Sequence, residues 1–91
     1  MYQVQLICTG VPESSGAEAA VDITEEFSQH RQWHRNVLCT WDGRHLRLQA
    51  DNDFDPDGLA LMDEFSDCIA AYIEPFTGSL RVESLSTIPV V

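Results

Sequence analysis

The sequence predicts a protein of the α+β class, a two-layer sandwich in which two helices cover one face of a four-stranded antiparallel sheet. Two stretches have the apolar spacing of amphipathic helices, and the segments around them alternate as strands do. Asp42-Gly43, a strong hairpin signal, lies near the middle of the chain between two alternating runs. The predicted order is therefore strand, helix, strand, strand, helix, strand, in one domain of residues 1–91.

The first strand and the first helix are predicted from residue 2 to about residue 33. Apolar and polar residues alternate from Tyr2 to Thr9, which is the spacing of a strand covered on one face. Ser15, with Glu18 three residues later, matches a capping box, so a helix is expected from Gly16 to a point between His30 and Trp33. Its expected buried stripe consists of Ala20, Ile23 and Phe27.

A β-hairpin is predicted over Val37 to Gln49, with Asp42 and Gly43 as the two central turn residues. This turn places Cys39 opposite Leu46. Cross-strand partners share a face, so the alternation assigns each residue to one side of the sheet. The side expected to meet the helices carries Val37, Cys39, Leu46 and Leu48. The opposite side carries Leu38, Thr40, His45 and Arg47.

The second helix is expected to begin at Asp55, with Asp55 as its N-cap, Pro56 as its first residue and Asp57 in its first turn. Pro75 and Gly78 are expected to end it. Its apolar face has helical spacing and consists of Leu61, Met62, Phe65, Cys68, Ile69, Tyr72 and Ile73.

The last strand is expected around Leu80 and Val82, followed by an irregular tail from Ser84 to Val91 that is interpreted as a bulge followed by an extended end. The complete order is that of the ferredoxin-like arrangement, which usually places the first and third strands at the centre and the other two at the edges. One sheet face then stays open. Its expected residues are Gln3, Gln5, Ile7, Leu38, Thr40, His45, Arg47, Gln49, Arg81 and Glu83.

Composition excludes several classes of partner. The formal charge is −10, from 15 acidic residues against 5 arginines with no lysine. Affinity for nucleic acid comes largely from cations that neutralise phosphates, so neither nucleic acid nor an anionic membrane is expected as a partner. The chain has no signal-peptide pattern and no apolar run near the roughly 20 residues that cross a bilayer. We expect a soluble, cytoplasmic protein.

The three cysteines, Cys8, Cys39 and Cys68, are odd in number and form no CxxC pair, so no disulfide framework is expected. All three fall at core-facing positions, where cysteine behaves as a small hydrophobic residue rather than as a reactive thiol. No cofactor-binding motif is apparent, and no cofactor is expected.

Two patterns permit a metal-binding interpretation. Asp53, Asp55, Asp57, Gly58 and Glu64 have the spacing of a calcium loop. The alternative is a capped helix start, which explains the same residues with fewer demands and is preferred. His30 and His34 lie four residues apart and would share a side of a continuing helix. Because no third ligand is evident, a solvated helix end is the preferred interpretation.

The segment from His30 to Arg35, HRQWHR, forms a local positive zone in this acidic chain. Arg31, Trp33 and Arg35 are residue types enriched at interface hot spots, so this zone is a candidate site for an anion or an acidic partner. The alternative is that the arginines pair with helix acids and that Trp33 covers the end of the core.

The leading functional hypothesis is a non-enzymatic domain that binds a protein partner or forms a homodimer. The open sheet face or an edge strand would make the contact, because no catalytic constellation is apparent and Ile7, Leu38 and Leu85 are expected to be exposed there. Its candidate binding residues on that face are Gln5, Ile7, Leu38, Thr40, His45 and Arg47.

Two other hypotheses come from different classes of function. His45 and Arg47 can hold a small anion or support weak catalysis. The acidic helices can also imitate nucleic acid and so inhibit a protein that binds it. The acidic residues concerned are Glu18, Asp22, Glu25, Glu26, Asp63, Glu64 and Asp67.

Overall fold

The computed structural model describes residues 1–73 and 76–88. The elements are β1 (Tyr2–Thr9), α1 (Glu13–His30), β2 (Arg35–Trp41), β3 (Leu46–Asn52), α2 (Leu59–Tyr72) and β4 (Ser79–Thr87). All strand pairs are antiparallel and the strand order is β2-β3-β1-β4. The predicted ferredoxin-like α+β sandwich is confirmed, and β1 and β3 are its central strands as expected.

The core lies between the helices and one face of the sheet. Alternate residues of β1 and β3 point into it, as the period of two requires. Its largest fully buried side chains include Phe27, Phe65, Leu6, Ile23, Leu46, Leu48, Leu61 and Ile69. Cys8, Cys39 and Cys68 are buried free thiols, as predicted. Gly16 lets Trp41 of β2 approach α1, since a Cβ there would lie 2.1 Å from the indole.

The start of α1 differs from the expected one. The helix begins at Glu13 directly after Pro12, so Ser15 already lies in its first turn and donates its backbone N–H to the Pro12 carbonyl (2.9 Å). The helix start has no side-chain cap, and the predicted capping box of Ser15 and Glu18 is wrong. The end of α1 at His30 falls within the expected range, and the Arg31 N–H donates to the Phe27 carbonyl (3.0 Å).

Helix α2 also begins later than predicted. Residues from Asp55 to Gly58 form a turn, in which the Gly58 N–H donates to the Asp55 carbonyl (3.3 Å) and Gly58 has a φ of +74°. The N-cap residue is Gly58, so the predicted N-cap at Asp55 is wrong, but the Asp55 carboxylate still accepts the first-turn N–H groups of Ala60 (3.2 Å) and Leu61 (3.1 Å). Pro56 therefore lies in the turn and not in the helix. The predicted stop at Pro75 lies outside the described residues.

The hairpin has the predicted faces but not the predicted pairing. Cys39 pairs with Leu48 rather than with Leu46, a shift of two residues on β3. The Asp42 carboxylate accepts the N–H groups of Arg44 (2.8 Å) and His45 (2.7 Å), and the turn is centred on Gly43 and Arg44. A shift of two residues preserves the face of every side chain, so Cys39 remains in the core.

Strand β4 is longer than predicted, because Ser84 to Thr87 belong to it rather than to an irregular tail. A β-bulge separates the Leu6–Val82 and Gln5–Ser84 pairs and leaves Glu83 as the extra residue. Residues 89–91 of the expected tail lie outside the described residues. Neither helix in the described ranges is long and apolar enough to span a membrane.

Candidate functional site

The structure divides the HRQWHR zone between two parts of the molecule. Arg31 lies in the groove between α1 and α2 with Glu26, Asp67 and Tyr72, and its guanidinium carbon is 5.6 Å from the centre of the Phe27 ring. Trp33 and Arg35 line a different pocket of about 220 Å³. We call this the aromatic pocket, and its lining residues are Met1, Gln32, Trp33, Arg35, Asn52, Asp53 and Phe54.

Two large aromatic side chains form exposed walls of the aromatic pocket. Trp33 is 51% exposed and Phe54 is 48% exposed. The buried imidazole of His34 lies near both, with ring centroids 6.2 Å from Trp33 and 5.6 Å from Phe54. The indole Nε1–H of Trp33 donates to Glu64 Oε1 (2.8 Å). Trp33 is therefore held in place by a hydrogen bond as well as by packing, although half of its surface faces solvent.

A buried network lies directly behind these walls. His34 Nε2 contacts Glu64 Oε2, and His34 Nδ1 lies 3.3 Å from Asn52 Nδ2. Asn52 Oδ1 accepts the N–H groups of Phe54 (3.2 Å) and Asp55 (2.9 Å), so the amide group of Asn52 must present its NH₂ to His34. His34 Nδ1 is then an acceptor, and the partners assign the proton to Nε2, which donates it to Glu64.

We call His34, Asn52, Asp55 and Glu64 the buried network. It joins the segment before β2, the end of β3, the following turn and α2. Through Asn52 it fixes the backbone of Phe54, and through Glu64 it fixes the indole of Trp33. The network therefore pre-organises both walls of the aromatic pocket.

A local bulge in β2 accounts for the position of Arg35. Asn36 has a φ of +52°, and the pairing of β2 with β3 shifts between Arg35 and Leu38, so that Arg35 lies opposite Asp51. The Asn36 side chain donates to Asp51 Oδ2 (2.8 Å). Bulges commonly redirect a side chain in this way. Within the described ranges Arg35 makes no ion pair, so its guanidinium remains available at the rim of the pocket.

The open sheet face carries a second polar cluster, which we call the surface network and which consists of Gln5, Asp42, Arg47 and Glu83. Arg47 contacts Asp42 through one terminal nitrogen and Glu83 through Nε (3.0 Å). Gln5 also donates to Glu83 (3.0 Å). Both carboxylates stabilise the guanidinium, Glu83 first, and raise the pKa of Arg47. The charge of Arg47 is therefore matched within the molecule.

The other predicted open-face residues have different environments. Leu38 is 53% exposed and Thr40 is also exposed, as expected. His45 is half-buried, with Nδ1 3.8 Å from Asp42. The expected exposure of Ile7 is wrong, because this side chain is only 3% exposed. Ile7 lies in the central strand between Arg47 and Arg81, whose long side chains can cover it.

Leu85 is exposed as expected, but it lies on the other side of the sheet. The bulge at Glu83 reverses the alternation of β4, so Leu85 pairs with the core residue Val4. Its methyl group lies near Gly58, at the start of α2. Leu85 therefore does not belong to the open face on which the sequence placed it.

The described residues contain no group of three or more His, Cys, Asp or Glu side chains arranged to hold a metal ion. Asp55 caps α2 and Glu64 binds His34 and Trp33, so two residues of the calcium-like spacing have other partners. His30 ends α1 and is exposed, whereas His34 is buried beyond the helix. The two histidines therefore do not share a helical face.

The buried thiols have the chemistry of core residues. Burial raises the pKa of Cys39 to about 12 and that of Cys8 to about 11. Burial also raises the pKa of Cys68, although the nearby Arg31 acts in the opposite direction. A thiol reacts as its thiolate, so these groups are unreactive near neutral pH.

Comparisons with models of known protein families, with curated proteins and with solved structures found no match to this chain. The candidate site therefore rests on its own geometry. Sequence reasoning identified Trp33 and Arg35 but missed Asn52 and Phe54 as parts of the site. It considered Glu64 only as a cation ligand and as part of an acidic helix surface. The one available signal was Asn52 itself, a polar residue at the core-facing end of a strand.

Proposed function

We propose that this chain is a non-enzymatic protein-interaction domain whose partner inserts a side chain into the aromatic pocket. One observation carries the proposal: Trp33 and Phe54 are half-exposed, yet a buried network holds the indole of Trp33 and the backbone of Phe54, whose ring lies beside the buried His34. An exposed tryptophan needs no such support if it only covers the core.

Pre-organisation favours binding because it lowers the entropy lost when a contact forms. Each mobile side chain that an interface immobilises costs about 0.5–1.5 kcal/mol. The indole of Trp33 and the backbone of Phe54 are already held by hydrogen bonds, so a partner would lose less entropy in contacting these two residues. Tryptophan and arginine are also the residues that most often dominate interface energies, and Arg35 stands beside Trp33 in the pocket.

The size of the pocket favours a protein partner over a free ligand. Pockets for small molecules and cofactors usually enclose about 300–1,000 Å³. The aromatic pocket, at about 220 Å³, is smaller and suits one protruding side chain. Gln32, Asn52 and Asp53 add polar groups to its lining, which is typical of an interface rim.

The open sheet face has less support as the contact surface. Arg47 is matched by Asp42 and Glu83, and Ile7 is buried, so this face offers neither an unpaired cation nor an apolar patch at its centre. The same matching weakens the hypothesis of an anion held by His45 and Arg47. The acidic groove between the helices contains Arg31, which partly offsets Glu26 and Asp67.

Partner capture with pocket variants tests the proposal. Tagged wild-type chain, Trp33→Ala and Phe54→Ala are used to purify partners from the source cells, with quantitative mass spectrometry. Any partner that both variants lose is then titrated as a purified protein. We expect each substitution to weaken binding at least about thirtyfold, since hot-spot truncations cost about 2 kcal/mol or more.

Leu38→Ala is the matched control, because Leu38 is equally exposed but lies outside the pocket. It should bind the same partner as tightly as the wild type does. A partner that binds all four proteins equally would refute the proposed contact. Circular dichroism of each variant confirms that the fold is retained.

A further inference from the structure

We infer that two copies of this chain associate through the outer edge of β4, in antiparallel orientation, to form one continuous eight-stranded sheet. The inference concerns a different surface from the aromatic pocket and a different partner, a second copy. It rests on the exposure of β4, the direction of its backbone groups and the absence of charge in its second half.

Strand β4 is an exposed edge. It pairs only with β1 among the described strands, and every side chain from Glu83 to Thr87 is exposed. Unpaired edges attract other strands, and proteins usually protect them with charges, prolines or covering segments. Between Ser84 and Ile88 the chain has no charge and no proline. This half of β4 therefore lacks the protection that charges and prolines give.

The hydrogen bonds at the end of β4 fix the direction of its backbone. Met1 and Ile88 exchange both backbone bonds, with the Ile88 N–H donating to the Met1 carbonyl at 2.7 Å. Bonded and non-bonded pairs alternate along an antiparallel ladder. The Tyr2–Thr87 and Val4–Leu85 pairs are therefore non-bonded. The N–H and C=O groups of Leu85 and Thr87 point to the outer edge, where a second strand can bind them.

The opposite edge of the sheet is protected. The Cys39 N–H on the outer side of β2 donates to Thr24 Oγ1 of α1 (3.0 Å). A strand added to β2 would have to displace this hydroxyl. The two edges therefore differ, and β4 is the one that offers free backbone groups in the described ranges.

Charge and symmetry both favour a second copy as the occupant. A partner recognised by its charge would meet no charged side chain between Ser84 and Ile88, although the formal net charge of the chain is −10. Two-fold pairing centred on Leu85 sets Leu85 opposite the partner's Leu85, and it sets Ser84 opposite the partner's Ser86. No like charges then face each other, and Leu85, 48% exposed in one copy, gains an apolar neighbour.

The bulge limits the length of this pairing. Glu83 is the extra residue, and Arg47 and Gln5 hold its side chain on the open face. A bulge bends the strand and interrupts its outward ladder. Two-fold pairing sets Thr87 opposite the second copy's bulged Glu83, so the shared ladder ends at this pair and spans only residues 83–87 of each copy. So short a ladder predicts a reversible dimer whose population depends on concentration.

Sedimentation equilibrium over a wide range of concentration tests the inference. The wild type should pass from monomer to dimer as concentration rises. Thr87→Pro removes an N–H that points outward and spares the bonds to β1, and Leu85→Lys sets two like charges against each other. Each should raise the dimer Kd by about tenfold or more, because the proline removes a hydrogen bond from both symmetry-related positions and the two lysines repel each other across the pairing.

Leu38→Lys on β2 is the matched control and should dimerise like the wild type. Hydrogen exchange gives a second measurement that needs no variant: the amides of Leu85 and Thr87 should become protected as concentration rises, while their neighbour Ser86 stays unchanged. A wild type that remains monomeric, or a dimer that survives both β4 substitutions, would overturn the inference.

Discussion

The buried network and the surface network contain similar groups but have different consequences for the molecule. Each contains a carboxylate, a side chain with nitrogen donors and an amide: Glu64, His34 and Asn52 in the first, and Glu83, Arg47 and Gln5 in the second. Each connects segments far apart in the chain. His34 and Asn52 are almost fully buried, whereas Asp42, Arg47 and Glu83 are partly open to water. Water can replace a broken bond in the surface network, but it cannot reach the buried side chains of His34 and Asn52. Burial therefore decides which network specifies the fold.

The largest effect is expected from Asn52→Ala. This change leaves the N–H groups of Phe54 and Asp55 and the Nδ1 atom of His34 without their partner. An unsatisfied buried group costs about 1–3 kcal/mol, so we expect the free energy of unfolding to fall by about 3 kcal/mol. Urea denaturation measures it.

Gln49→Ala is the control for Asn52→Ala, because Gln49 is also an amide on β3 but lies on the open face. Its effect should be within about 0.5 kcal/mol of zero, as for most surface substitutions. Equal losses for the two variants would show that burial does not determine what the loss of an amide side chain on β3 costs.

A smaller effect is expected from Glu64→Ala, because Glu64 is partly exposed and water can reach the indole N–H of Trp33, so that only the buried His34 is left without a replacement partner. Trp33 and His34 both lose their partner, so unfolding should become easier by about 1–2 kcal/mol. The more specific result concerns Trp33. In a Trp41→Phe background, the fluorescence anisotropy of Trp33 should fall as the indole gains freedom.

Glu64→Ala also distinguishes residues that support the aromatic pocket from residues that contact a partner in it. Glu64→Ala removes no pocket-lining residue, yet it should weaken partner binding by loosening Trp33. An anisotropy that does not change would show that packing against His34 alone orders the indole.

Much of the fold could be predicted because it depends on local patterns. Alternation in β1 and helical spacing in α2 gave the element order, and this order implies the strand arrangement. The hairpin pairing could not be predicted from Asp42-Gly43 alone. The Asp42 side chain accepts two backbone N–H groups and moves the turn centre by one residue, a choice that the dipeptide leaves open.

The candidate site was only partly predictable, for a physical reason. Trp33 and Arg35 attracted attention by their types, which is information that the sequence contains. Glu64 reaches Trp33 across 31 positions, and His34 meets Asn52 across 18. Such contacts depend on how α2 packs beside the end of β3. The spacing of His30 and His34 suggested a shared helical face only while α1 was assumed to continue.

The smallest effect is expected from the surface network, and it should depend on pH. The N–H groups of His45 and Arg44, together with Arg47, hold the pKa of Asp42 well below its ordinary value of 3.8. A lowered pKa means that the ionised carboxylate stabilises the folded state above pH 3.8 and that this contribution is lost as the pH falls through the lower native value.

Asp42→Asn removes the charge but keeps an acceptor. Its stability should lie slightly below that of the wild type at neutral pH, and the difference should shrink towards zero in acid. A difference between Asp42→Asn and wild type that stays constant into acid would mean that the turn depends on the shape of the side chain and not on its charge.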